Sequence, residues 1–259
     1  MNPKLRLALL LLAAQPSVHA ADRDALRHIV QDECLPHWRA QHDAAPCERL
    51  VLPGPNAQQG YAVLADRKGG AHFLLIPTLT LTGIEDPTLL REPTPNYFAA
   101  AWAARERLQA VVGHPLRREA IGLAINSSQA RGQDQLHIHI ECLRPGVYRA
   151  LHTMAAYAIG SHWTPLTIED SPFQALRLMG ADLGDANPFR LLADGLPEAR
   201  QSIGEYTIII GGMQYKEGPG FLVLAGRTPT RAEVLLGIRR NGLVAPGETL
   251  LDSRCEIDR

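Results

Sequence analysis

One stretch, residues 132–145 (GQDQLHIHIECLRP), limits the possible folds of this chain more than any other. Its centre alternates apolar and polar residues. In a β-strand, side chains two residues apart share a face, about 7 Å per step. His137, His139 and Glu141 therefore project to one side, and Leu136, Ile138, Ile140 and Cys142 to the other. The apolar side must meet a core. Unpaired imidazole and carboxylate groups are costly to bury, so the polar side is expected to line a cleft.

The segments around this strand decide the class of fold. Residues 22–40 have helical character, with Asp22 or Asp24 as the N-cap. Residues 61–78 hold two β-rich runs about a Lys-Gly-Gly turn and read as a hairpin. Residues 95–112 read as an Ala-rich helix starting near Pro95. AIGLAINSSQ reads as a strand running into a polar loop, and residues 147–159 as a further helix. YTIIIGGMQYKEGPGFLVLAGR reads as a second hairpin. Its GFLVLAGR faintly echoes GYAVLADR of the first, too briefly to establish a repeat. Strands joined by hairpins and interleaved with helices predict an α+β fold with an antiparallel sheet and packed helices. No low-complexity linker divides the body, so residues 21–259 are expected to form one domain.

The N-terminus has a short basic region with Lys4 and Arg6, an apolar run over residues 7–14, Pro16, and a Val18-His19-Ala20 cleavage site. The run is far shorter than the ~20 residues that span a bilayer. Residues 1–20 are expected to be a cleaved export signal or, failing cleavage, an N-terminal anchor. Four cysteines, Cys34, Cys47, Cys142 and Cys255, fit the oxidising conditions an exported chain meets. Three pairings are possible; one of them joins Cys34 to Cys47 and the tail Cys255 to the central strand. None forms a CxxC pair, which argues against zinc or redox chemistry at cysteine. A formal net charge of −1 gives no electrostatic case for nucleic acid.

Three readings fit His-x-His-x-Glu. It could supply metal ligands from His137, His139 and Glu141. It could hold a nucleophilic histidine acting on phosphorus, positioned by the second. It could be a solvated polar face. From the strand alone the metal and solvated readings lead. The upstream NSSQARGQ shifts the balance, because a Ser- and Gly-rich loop entering the strand can offer N–H groups to an anion. Asn126, Ser127, Ser128 and Gln133 are the candidate phosphate-binding residues. Lys216 in the second hairpin is read as solvated. Trp38, Trp102 and Trp163 are read as core or interface residues, and His152 and His162 as structural. Thr78 is placed near the cleft.

Asn126, then Gly132-Gln133, then His137-x-His139-x-Glu141 resembles the histidine-triad hydrolases and nucleotidyl transferases, as does a preceding strand ending in Ile76-Pro77. Two departures stand out. Glu141 takes the place of a third histidine, and Thr78 and Thr80 stand where a basic residue and a histidine are usual. A wider resemblance, through GYAVLADR, TPNYFAAAWAAR, NSSQARGQDQLHIHIECLRP and a tail with LLDSRC, is to the CDP-diacylglycerol pyrophosphatase family. It implies a histidine-triad-like fold and hydrolysis of CDP-diacylglycerol to CMP and phosphatidate. It also implies a covalent intermediate on His139, with His137 orienting the site or bonding a phosphate oxygen, Glu141 as a third catalytic residue that stays protonated, accepts a hydrogen bond from His139 or His137 or positions the water, and no cofactor or metal. The lipid substrate implies work at a membrane surface, on the periplasmic side of a bacterial inner membrane. The rivals are a metal-dependent enzyme using His137, His139 and Glu141, and an exported nucleotide-binding module without catalysis.

Overall fold

The computed structural model describes residues 22–53, 59–229, 231–236 and 246–258. The expected export signal or anchor lies outside the described residues, as do parts of the loop before residue 59 and of the segment after the second hairpin.

Among the described residues, ten strands form one antiparallel sheet: β1 (Arg49–Val51), β2 (Tyr61–Ala65), β3 (Phe73–Pro77), β4 (Ile121–Ile125), β5 (Ile138–Leu143), β6 (Thr164–Ile168), β7 (Ser171–Met179), β8 (Tyr206–Tyr215), β9 (Gly218–Arg227) and β10 (Leu251–Asp252). The order is β1-β2-β3-β5-β4-β8-β9-β7-β6, with β10 on the end of β5. The histidine strand β5 is thus internal, between β3 and β4.

The predicted first helix is α1 (Ala25–His28) and α2 (Leu35–Gln41), joined by one π-helical stretch, Ile29–Cys34. Asp24 is its N-cap by position, but its side chain makes no capping bond. The predicted Ala-rich helix divides at Arg105 into α3 (Tyr97–Ala104) and α4 (Glu106–Val112). It starts beside Pro95 as expected, with Asn96 as the N-cap: Ala99 N–H donates to Asn96 Oδ1 at 3.2 Å. Residues 147–159 become α5 (Pro145–Leu151) and α6 (Met154–Tyr157).

The β6–β7 hairpin, α7 (Pro188–Gly195) and α8 (Pro197–Gln201) escape the sequence reading. Hairpins are usually signalled by glycine or asparagine at positive φ. Here Glu169 and Asp170 occupy that region, at φ 45° and 64°. Pro165 and Pro172 lie inside the two strands, where proline argues against a central strand. β6 escapes that objection by being the edge.

The two sheet faces are covered differently. On one face Leu75, Leu123, Ile138, Ile140, Ile208 and Ile210 form a continuous core with Tyr97, Phe98 and Trp102 of α3. The other face has two separate cores. One joins α1 and α2 to Ala62, Leu64, Leu74 and Ile76. The second joins α5 to Ala124, Leu143, Ile209 and Leu224. His139 pairs in register with Leu74 on β3 and Ala124 on β4, so the polar side of β5 lies between these two cores.

Both disulfides adopt the local-plus-tail pairing. Cys34–Cys47 ties the first helix to the approach to β1, and Cys142–Cys255 ties the tail to β5. They fit a chain that folds in an oxidising compartment.

Candidate active site

β5 delivers the triad as its alternation requires. His137, His139 and Glu141 are all buried, yet the two histidines line a cavity of about 280 Å³. Its apolar wall comes from Leu26 and Ile29 of the first helix and Leu64 and Leu74 of the sheet. Its polar wall adds Asp66, Arg67, Lys68, Asn126 and Glu248.

The turn between β2 and β3 contributes most of what the sequence reading missed. Lys68 N–H donates to Asp66 Oδ1 at 2.7 Å, and Gly69 and Gly70 follow at φ 74° and 76°. The tail straps this turn, since Ala71 N–H donates to Ser253 O at 2.7 Å. His72 then enters the sheet one residue before β3. Phe73 pairs with Ile140, so His72 falls beside Glu141.

The result is a compact buried cluster. His72 Nε2 lies 3.0 Å from His139 Nδ1 and 3.2 Å from Glu141 Oε1. His72 Nδ1 is 3.7 Å from Asp66 Oδ1. His139 Nε2 is buried without a hydrogen bond and faces Glu248 Oε2 at 3.4 Å. His137 Nδ1–H donates to the carbonyl of Gln135 at 2.7 Å, which fixes its tautomer and leaves Nε2 as the basic nitrogen.

Burial dominates the ionisation. Desolvation lowers His72 to about 4 and pushes His137 down and His139 well down from the ordinary imidazole value. All three rings are therefore neutral near pH 7, as a nucleophile or metal ligand must be. Desolvation, aided by the charge of Glu248, raises Glu141 to about 8. At neutral pH Glu141 is mostly protonated, which removes its repulsion of a bound phosphate.

Glu248 reaches the site from a single turn, Gly247–Leu250. A Cβ on Gly247 would stand 2.5 Å from Thr207 Oγ1, so only glycine allows this close approach. Glu248 N–H donates to Asn126 Oδ1 at 3.3 Å, and Lys68 Nζ lies 3.8 Å from Glu248 Oε2.

The four candidate phosphate-binding residues are placed differently. Asn126 and Gln133 line the cavity; Ser127 and Ser128 do not. Ser127 is fully buried and its carbonyl accepts from Ala130 and Arg131 N–H, while Ser128 N–H donates to Gly204 O. These serines shape the loop. Gln133 is committed to the first helix, its Oε1 accepting from Leu26 N–H and its Nε2 donating to Asp22 O. The cations at the cavity are Arg67 and Lys68, whereas Lys216 is exposed in the β8–β9 turn. Thr78 is buried without lining the cavity.

His72 Nε2, His139 Nδ1 and Glu141 Oε1 stand 3.0, 3.2 and 3.9 Å apart in pairs. Tetrahedral zinc with bonds near 2.0 Å needs ligand separations of about 3.3 Å. This trio could hold a divalent cation, with His72 in the place the sequence reading gave to His137.

The family model described as CDP-diacylglycerol pyrophosphatase matches residues 21–259. The chain belongs to the CDP-diacylglycerol pyrophosphatase family. A protein of that name from Yersinia pestis is 37% identical over 239 residues, covering 92% of this chain and 86% of the relative. Family membership makes the chain a hydrolase of the CDP-diacylglycerol pyrophosphate bond and sets aside a binding module without catalysis. Among the described residues, no helix is long and apolar enough to cross a membrane.

Proposed function

We propose that the chain hydrolyses CDP-diacylglycerol to CMP and phosphatidate through a covalent intermediate on His139, in a histidine-triad-like arrangement at the periplasmic surface of the inner membrane. One observation carries this reading: His139 Nε2 is a buried ring nitrogen without a hydrogen bond, in a ring that lines a cavity bearing Lys68 and Asn126.

The Nε2 lone pair attacks one phosphorus of the pyrophosphate, by analogy the CMP phosphorus. A P–N bond forms, the P–O anhydride bond breaks, and phosphatidate leaves with the bond's electrons. The substrate phosphate takes the place that the Glu248 carboxylate holds beside Nε2. Lys68 and Arg67 offset its charge, the Asn126 amide N–H orients it, and His137, its ring fixed by the Gln135 carbonyl, holds the wall of the site beside His139. Water then attacks the phosphorus and its proton passes to Glu248. The P–N bond breaks, His139 recovers its lone pair, and CMP departs. Two easier displacements replace one difficult one.

The test is CMP release from CDP-diacylglycerol in detergent with excess EDTA, by wild type and His139→Ala side by side. Wild-type turnover, with a loss of roughly 10³-fold or more in the variant, supports the nucleophile. Turnover that EDTA abolishes supports the second reading instead, a divalent cation on His72, His139 and Glu141, which the ligand spacing of that trio favours.

A further inference from the structure

His72 has no part in the steps above, yet its ring makes the closest contact in the site to the proposed nucleophile. We infer that His72, backed by Asp66, is a positioning residue that accepts the Nδ1 proton of His139 in a hydrogen bond and so presents the Nε2 lone pair to the substrate. This rests on the proposed attack by His139.

Two nitrogens 3.0 Å apart require one to donate and the other to accept. The neighbours decide which. The carboxylate of Asp66 faces His72 Nδ1 at 3.7 Å and favours a proton there. His72 Nε2 is then the acceptor. It can take the Nδ1–H of His139 and also face the protonated Glu141 at 3.2 Å. His139 is thereby held as the tautomer with its lone pair on Nε2. The alternative, with the proton on His139 Nε2, would set two lone pairs against each other across a dry 3.0 Å gap unless His72 also reversed its tautomer and turned its own lone pair towards Asp66.

The same contact serves the intermediate. Bonding of Nε2 to phosphorus leaves the His139 ring positive, with its remaining proton on Nδ1. That proton is shared with His72 Nε2, and the charge spreads towards Asp66. When water attacks the phosphorus and displaces His139 Nε2, the proton returns to His139 Nδ1 and the original tautomers are restored. His72 touches neither substrate nor reacting phosphorus in this scheme.

The test compares His72→Ala and His72→Gln, the second placing an amide oxygen near the former Nε2. Both are assayed on CDP-diacylglycerol, and nucleotide adducts on the quenched enzyme are mapped by mass spectrometry. His72→Ala is expected to lower kcat about 10²-fold with KM within about threefold, the scale of a misoriented reacting group. His72→Gln is expected to recover at least tenfold of that loss. Equal losses in the two variants, or kcat of His72→Ala within threefold of wild type, would overturn the inference. A stoichiometric divalent cation in purified wild type that His72→Gln loses would also overturn it. If wild type turns over without any adduct on His139, the underlying reading fails and the inference with it. If the wild-type adduct forms and His72→Ala is unimpaired, the inference alone fails.

Discussion

The β2–β3 and β8–β9 hairpins are both antiparallel pairs of the same sheet, with a similar apolar octapeptide in each, yet only the first puts its turn at the candidate site. β8 and β9 are ten residues each, and their two-residue turn at Lys216 and Glu217 projects into solvent. Arg227, ending GFLVLAGR, is taken up by Glu205 and Glu233. The β2–β3 strands are half as long, and their turn folds back under the tail at Ser253. Asp66, where the echo has Gly226, then faces His72, and Lys68 faces Glu248. The contrast teaches that position in the sheet, beside β5 or beyond β4, decides whether a hairpin reaches the candidate site. Local sequence is nearly silent on this.

The largest effect expected from loosening the functional hairpin is on stability. Cys142–Cys255 closes a span of 113 residues and holds the tail that straps the β2–β3 turn, while Cys34–Cys47 closes 13. Chain entropy alone gives about 4–5 kcal/mol for the first and about 3 kcal/mol for the second. Urea unfolding of Cys142→Ser/Cys255→Ser and Cys34→Ser/Cys47→Ser proteins checks this ranking, and activity should suffer more in the former. Next, Lys68→Ala should lower kcat/KM by roughly 10–100-fold, as loss of a charge-assisted phosphate contact does. Lys216→Ala, the matching change in the other hairpin, should stay within about twofold. Parallel steady-state assays decide, and equal effects would break the comparison.

The smallest expected effect is electrostatic. Burial raises Glu141 to about 8, so the folded state holds this proton more tightly than the unfolded chain. Its stabilising contribution is complete below the unfolded value near 4.5 and is lost as pH rises through about 8. Glu141→Gln is neutral throughout and escapes that loss. Between pH 7 and pH 8.5 its stability relative to wild type should improve by about 1 kcal/mol, read from unfolding curves at the two pH values.

Much of this site was legible in the sequence because β5 is a strand with one apolar side. Alternation alone set His137, His139 and Glu141 together and put Ile138 and Ile140 in the core. His72, Asp66, Lys68 and Glu248 were not legible in that way. Asp66, Lys68 and Glu248 reach the cavity, and His72 reaches His139, through pairing or strapping between segments far apart in the chain, and only the register of β3 on β5 sets His72 beside Glu141. Gln133 shows the opposite case. Its motif position suggested a phosphate donor, but both its amide atoms hold the first helix. The missed β6–β7 hairpin had its turn signal replaced by Glu169-Asp170 and its strands marked against by proline.

The account turns on which atom attacks phosphorus. The most direct measurement is a rapid quench, at alkaline pH where phosphorus–nitrogen bonds survive, of the enzyme turning over CDP-diacylglycerol labelled in the phosphate next to cytidine. Peptide mapping then locates the label. The account predicts a cytidylyl group on His139, formed within one turnover and chased by water to CMP. Label on His137, or turnover at full rate with no labelled histidine, would contradict it.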